Sequence, residues 1–150
     1  MGVSTDGILF YGIAYGEDGE HFEISELAES NGLDENDFEF EDLYALKVGV
    51  DRPKEAFSKA SEPLYHQYWD KKREVNQQSG CEVGTYCSDG SPMYYVCIRD
   101  SEYTANRGYA TEIPDGLTAK PEWKDKLKEY CGLMGLPYME PAWLLVSYWG

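Results

Sequence analysis

The acidic residues of this chain are concentrated in its first third, and this distribution constrains the fold more than any other feature of the sequence. Residues 1–46 contain 13 Asp and Glu side chains and no Lys or Arg, and the first basic residue is Lys47. The remaining residues hold 15 acids and all 13 bases, so this part of the chain has a net charge of only −2. The net charge of −15 is therefore a property of one segment rather than of the whole chain.

The acidic third also contains recurring apolar residues, so it does not have the composition of a disordered acidic tail. The chain has 5 Phe, 4 Trp and 13 Tyr, and its aromatic content is 15%. The apolar residues of the acidic third are Phe22, Ile24, Leu27, Leu33, Phe38, Phe40, Leu43, Tyr44 and Leu46. We therefore expect this segment to fold against a core.

Ten acids of this segment are candidate partner-binding residues: Glu17, Asp18, Glu20, Glu23, Asp34, Glu35, Asp37, Glu39, Glu41 and Asp42. One interpretation is a solvated face that keeps the protein soluble. The other is a recognition surface for a basic partner, because the carboxylates between residues 17 and 42 match the charge on roughly 20 Å of duplex DNA. Such a face could occupy a basic nucleic-acid channel in another protein. The sequence leaves both interpretations open.

The overall charge also excludes some partners. A sequence pI near 4.4 argues against direct binding to nucleic acid or to an anionic membrane, since both require positive charge. The N-terminus lacks the basic and apolar regions of a signal peptide, and the apolar run at 142–146 is far shorter than the roughly 20 residues of a membrane helix. We therefore expect a cytoplasmic protein whose four cysteines are reduced thiols.

The chain length and hydrophobic pattern predict a single α+β domain over residues 1–150, with a mostly antiparallel sheet and two or three helices. In the first third, the apolar run at 7–16 predicts a central buried strand. Residues 25–29 predict a short helix that ends at Asn31-Gly32. The alternation of acidic and Phe residues at 37–42 predicts an edge strand or an extended arm.

The rest of the chain predicts two further helices and at least three strands. Residues 51–76 have helical spacing that breaks near Ser61, because Pro63 cannot continue a helix from the preceding turn. The other predicted segments are strands at 81–87 and 93–99 joined by a turn at 88–92, a third strand at 109–113, a helix at 121–131 and a closing strand at 143–149.

The cysteines and histidines are the candidates for chemistry. With a loop at 88–92, Cys81, Cys87 and Cys97 would share one face of the hairpin, yet their spacing is not that of a zinc knuckle or ribbon. His21 and His66 stand in no recognised catalytic motif. Because no nucleotide-binding or nucleophile motif is present either, we predict no catalytic residues, no metal site and no cofactor.

Two short stretches carry a resemblance to known proteins. STDGILFYG at residues 4–12 and CSDGSPMYY at residues 87–95 resemble a group of small, acidic, uncharacterised proteins encoded by bacteriophages and their hosts. The resemblance implies a phage accessory protein. Such proteins often block host defences, and acidic inhibitors that imitate nucleic acid are one class of them.

The leading hypothesis is therefore a non-enzymatic phage protein of the host cytoplasm. It would bind and inhibit a basic host factor that handles nucleic acid or acts in defence, through an acidic surface that imitates nucleic acid. Its partner would be a protein rather than a nucleic acid or a membrane. The alternative is a small enzyme or zinc-binding protein that uses the cysteine-bearing hairpin.

Overall fold

The computed structural model describes residues 5–114 and 116–149, so Ser4 of the first resembling stretch lies outside the described residues. The strands are β1 (Thr5–Glu17), β2 (Cys81–Cys87), β3 (Pro92–Ile98), β4 (Tyr103–Ala105) and β5 (Ala142–Trp149). The α-helices are α1 (Ile24–Ser30), α2 (Phe40–Lys47), α3 (Glu62–Ser79) and α4 (Pro121–Met134). Short 3₁₀ turns lie at Glu35–Asp37 and Arg99–Ser101.

Strand β1 is paired along both of its edges. One edge pairs with β5 from Thr5 to Gly12, and the other pairs first with β4 and then with β3. Strand β2 pairs with β3 on one side and makes a single parallel bridge, Cys87 to Tyr148, to β5 on the other. These pairings close β1, β3, β2 and β5 into a small barrel, with β4 added beside β1.

Two apolar clusters lie on opposite faces of this closed sheet. The inner cluster is formed by all four strands of the barrel, and Phe10 stacks on Tyr95 with 4.1 Å between ring centroids. Its other members are Ile8, Cys97, Tyr86, Leu144, Val146 and Tyr148. The outer cluster packs α1, α2 and α4 onto the sheet through residues such as Leu27, Leu43, Leu127 and Met134. The barrel is therefore filled by side chains, and the helices cover one outer face.

The prediction of a single α+β domain agrees with this architecture, but its details need correction. The sheet is mixed rather than mostly antiparallel, because the parallel β2–β5 bridge closes the barrel. There are four α-helices in the described residues, not two or three. The predicted strand at 37–42 is also wrong. Its first residue ends a 3₁₀ turn and its last three begin α2, whose Leu43 and Ala45 are fully buried.

Most of the other predicted helices and strands form, and two of them do not. The strand at 7–16, the short helix at 25–29, the helix at 121–131 and the closing strand at 143–149 all form, within a few residues of the predicted bounds. The predicted helix start after Ser61 is confirmed, because α3 begins at Glu62 and has Pro63 in its first turn. Residues 51–60 form no helix, and residues 109–113 form no strand. None of the described helices has both the length and the hydropathy needed to cross a membrane.

The predicted hairpin forms, but a loop at 88–92 would set Cys87 opposite Met93 and Val83 opposite Cys97, and the observed register is shifted from this by one residue. Val83 lies opposite Val96 and Cys87 opposite Pro92, so Cys97 lies opposite Glu82. A shift of one residue reverses the face to which each side chain points. Cys81 therefore points to the outer cluster and Cys97 to the inner one, and the predicted shared face of Cys81, Cys87 and Cys97 is wrong.

Where β1 and β3 cross at Gly12, there is no room for a side chain. A Cβ at Gly12 would lie 2.0 Å from the carbonyl oxygen of Val96, which is backbone and cannot swing away. We expect Gly12→Ala to lower the free energy of unfolding by about 1–3 kcal/mol or more, measured by urea denaturation. Gly7 on the same strand is the control, because a Cβ there meets nothing within 4 Å. Equal effects of Gly12→Ala and Gly7→Ala would contradict this account of the barrel.

Candidate functional site

The structure exposes nine of the ten candidate acids and buries one. Asp42 is only 7% exposed, whereas the other nine have exposed side chains at the end of β1, in the connecting turns and at the start of α2. Three of the ten are ion-paired within the part of the chain that the structure describes: Asp37, Glu39 and Asp42. The acidic third therefore keeps most of its charge at the surface.

Three of the exposed acids surround one groove. Glu35, Glu39 and Glu41 line an open depression with a volume of about 610 Å³, between the acidic third, α3 and the β2–β3 hairpin. The other lining residues are Ile24, Phe38, Phe40, Lys72, Thr85 and Tyr94. We call this depression the acidic groove.

Aromatic rings form much of the wall of the acidic groove. Phe40 contacts Phe38 edge to face with 5.0 Å between ring centroids, and it contacts Tyr94 at 5.9 Å. Phe22 packs edge to face against Phe40 and also approaches Tyr94, at 6.1 and 6.0 Å. Edge-to-face pairs of this kind stabilise aromatic clusters beyond their area burial. The rings therefore hold one another in place beside the carboxylates.

Local backbone structure places the carboxylates at the rim. Glu39 is the residue before α2, and Glu41 lies in its first turn, where the helix dipole favours negative charge. Glu35 begins the first 3₁₀ turn, and the side chain of Asp34 accepts a hydrogen bond from the backbone N–H of Asn36 at 2.9 Å. Asp34 thus orders the turn that presents Glu35.

Lys72 of α3 is the only cation among the residues lining the acidic groove. Its ammonium nitrogen lies 3.1 Å from Glu39 Oε2 and 3.1 Å from Asp42 Oδ1. Burial acts to lower the pKa of Lys72, but the ion pairs with Asp42 and Glu39 outweigh it, and the net pKa is raised. Lys72 therefore stays charged and leaves Glu35 and Glu41 as the rim carboxylates with no ion-pair partner among the described residues.

Asp42 anchors the groove to the rest of the molecule. The Tyr68 hydroxyl donates a short hydrogen bond to Asp42, and burial together with this bond raises the pKa of Tyr68. About two turns further along α3, the side-chain amide of Asn76 donates to the carbonyl oxygen of Glu41 at 3.0 Å. Asp42 is thus a buried structural residue, and its predicted role in contacting a partner does not fit its position.

The remaining candidate acids lie outside the acidic groove. Asp18 accepts a hydrogen bond from the backbone N–H of Ile24 at 2.8 Å, and Glu20 accepts one from that of Glu17 at 3.3 Å. Asp37 pairs with Arg52 at 3.0 Å, and Glu23 borders a separate depression of about 370 Å³ beside α1. The structure therefore brings together only part of the predicted surface.

Sequence reasoning missed the groove residues that come from the hairpin and α3. Thr85 and Tyr94 face each other across β2 and β3 and close one side of the acidic groove. The aromatic run at 94–95 was visible in the sequence, but nothing local showed that Tyr94 would face the acidic third.

Comparisons with protein-family models, with curated proteins and with solved structures give no match for this chain. The resemblance to small phage-encoded acidic proteins therefore stays a prediction.

The buried position of Asp42 predicts a stability role that its exposed neighbour lacks. Asp42→Ala removes the acceptor of the Tyr68 hydroxyl and one partner of the Lys72 ammonium, so we expect the free energy of unfolding to fall by about 1.5–3 kcal/mol. Glu41→Ala, at an exposed position, should change it by no more than about 0.5 kcal/mol. Urea denaturation of both variants measures the difference, and a similar value for the two would contradict the anchoring role.

Proposed function

We propose that this protein is an interaction protein that binds a basic segment of another protein in the acidic groove. The observation that carries the proposal is the meeting of Glu35, Glu39 and Glu41 with the rings of Phe38 and Tyr94 around one open depression. Acidic and aromatic side chains in one groove suit a ligand that is both cationic and partly apolar. Lysine and arginine side chains have this character.

Each component of the groove has a separate role in this proposal. The carboxylates of Glu35 and Glu41 are available for hydrogen-bonded ion pairs, and pairs between guanidinium and carboxylate are among the stronger hydrogen bonds in proteins. The faces of Phe38 and Tyr94 can contact a guanidinium or the aliphatic stem of a lysine. Lys72, which is already paired with Glu39, repels a cation placed deep in the groove and favours one bound at the rim.

The net charge indicates the class of partner. At −15, the chain attracts positively charged surfaces over a long range and speeds their association. Proteins that handle nucleic acid carry such surfaces, because they neutralise phosphates with Lys and Arg. We propose a partner of this class, whose nucleic-acid site the bound acidic protein would block. Such a protein would act as a phage accessory protein that inhibits a host nucleic-acid-handling or defence factor.

The contribution of charge is testable with a defined probe. Fluorescence anisotropy would measure the binding of a labelled twelve-residue peptide of alternating Arg and Ala. We expect Glu35→Lys/Glu41→Lys to weaken binding at least about tenfold, because like charges at an interface cost several kcal/mol. The control is Glu112→Lys/Glu122→Lys, which changes the net charge equally at exposed positions outside the groove.

Two outcomes would contradict the groove as the binding site. Equal weakening by the two double variants would show that only overall charge attracts the peptide. Equal binding of a peptide with citrulline in place of arginine would show that charge is not recognised.

The contribution of the aromatic wall is testable without a change of charge. Phe38→Leu keeps an apolar side chain but removes the ring face, so we expect the arginine peptide to bind more weakly by about 0.5–1 kcal/mol. Phe57→Leu is the matched control, because Phe57 is an exposed ring outside the acidic groove. Unchanged affinity in Phe38→Leu, with an unchanged circular dichroism spectrum, would remove the ring from the proposed site.

A further inference from the structure

A second group of side chains lies away from the acidic groove, at one end of the β2–β3 pairing. Glu82 of β2, Cys97 of β3 and Glu102, just before β4, place one carboxylate oxygen or sulfur atom each within 4.8 Å of one another. Cys97 is fully buried, and the two glutamates are half-buried. The hairpin register produces this group, because it sets Glu82 directly opposite Cys97.

Hydrogen bonds from outside the group hold both carboxylates in position. The Tyr95 hydroxyl donates to Glu102 Oε2 at 3.3 Å, and Arg99 Nη1 lies 3.1 Å from Glu82 Oε2. Arg99 is fixed in turn, since its Nε donates to the carbonyl oxygen of Cys81 at 2.9 Å. Carboxylates that bind metals are commonly oriented by such outer hydrogen bonds.

The Cys97 thiol is independent evidence that the group is more than a pair of surface acids. Its side chain is completely buried in the inner cluster, and within the described part of the chain its hydrogen bond is to Glu102 Oε2, at 3.5 Å. The other buried thiols, Cys81 and Cys131, belong to the outer cluster. The soft sulfur atom of Cys97 thus lies within 4.8 Å of a hard carboxylate oxygen from each glutamate. Packing of the core does not by itself require this combination.

With both carboxylates ionised, this group has one more negative charge than positive charge. Two carboxylates face each other in a partly dehydrated place with one guanidinium beside them. The two carboxylates repel each other when both are ionised. With Cys97 as a thiolate, the four groups would have a net charge of −2. One divalent cation would neutralise them.

We propose that Glu82, Cys97 and Glu102 bind one divalent transition-metal cation of the zinc class. Zinc accepts thiolate and carboxylate ligands together, and three protein ligands leave a fourth tetrahedral position for a water molecule. Calcium and magnesium are disfavoured, because they take oxygen ligands. Binding forms a metal–sulfur bond and releases the Cys97 thiol proton to solvent, so affinity rises with pH.

Cobalt(II) is the probe that separates this site from general binding to surface acids. Chelator-treated full-length protein would be titrated with cobalt(II) and then with zinc, and thiolate ligation would appear as a charge-transfer band in the near ultraviolet. We expect one equivalent of cobalt to produce the band and zinc to displace it. Cys97→Ala should abolish the band, whereas Cys81→Ala, which removes another buried thiol, should retain it.

The carboxylates provide a second set of variants, in case Cys97→Ala fails to fold. Glu82→Gln and Glu102→Gln should each weaken zinc binding at least about tenfold in competition with a chromophoric chelator. Glu122→Gln, on an exposed turn of α4, should not change it. Cobalt binding without a thiolate band, a band that persists in Cys97→Ala, or equal affinities for the three glutamine variants would overturn the proposal.

Discussion

The close approach of β1 and β3 at Gly12 is the constraint on which the rest of the structure depends. β1 pairs with β5 along one edge and with β3 along the other, and the barrel closes because β1 and β3 come close enough to hydrogen-bond. At Gly12, the backbone of Val96 occupies the space that a side chain would fill. Closure pairs β2, β3 and β5 with one another or with β1, which protects edges that could otherwise pair with other chains. It also fixes the two faces of the sheet, with the inner cluster inside and the helices outside.

Both proposed sites depend on that closure. The hairpin presents Thr85 and Tyr94 toward the acidic third, which folds back over the sheet through Leu27 and Leu43. The same hairpin presents Glu82 and Cys97 from its other face. The acidic groove is coupled to the helical layer by Asp42, whose hydrogen bond with Tyr68 and ion pair with Lys72 join α2 to α3. The buried Asp42 thus stabilises the fold, whereas the adjacent and exposed Glu41 is available for binding.

Local signals predicted much of the secondary structure but little of the sites. The hairpin turn, the end of α1 at Asn31 and the start of α3 after Ser61 depend on residues close in sequence, and the structure has all three. The segment at 37–42 failed because its alternating phenylalanines resemble a strand, whereas the burial of Leu43 against distant residues favours a helix. The one-residue error in the hairpin register concealed the pairing of Glu82 with Cys97.

The order of residues alone places the negative charge of this protein in one segment and indicates that this segment folds, because charge and hydrophobicity are properties of the residues themselves. The packing of the folded chain selects which acids act together. It buried Asp42, paired Asp37 with Arg52, and gathered Glu35, Glu39 and Glu41 beside the ring of Tyr94 from the distant strand β3. The physical reason is that short-range contacts between side chains depend on distances of a few ångströms. Those distances are set by strand register and helix packing across the whole chain.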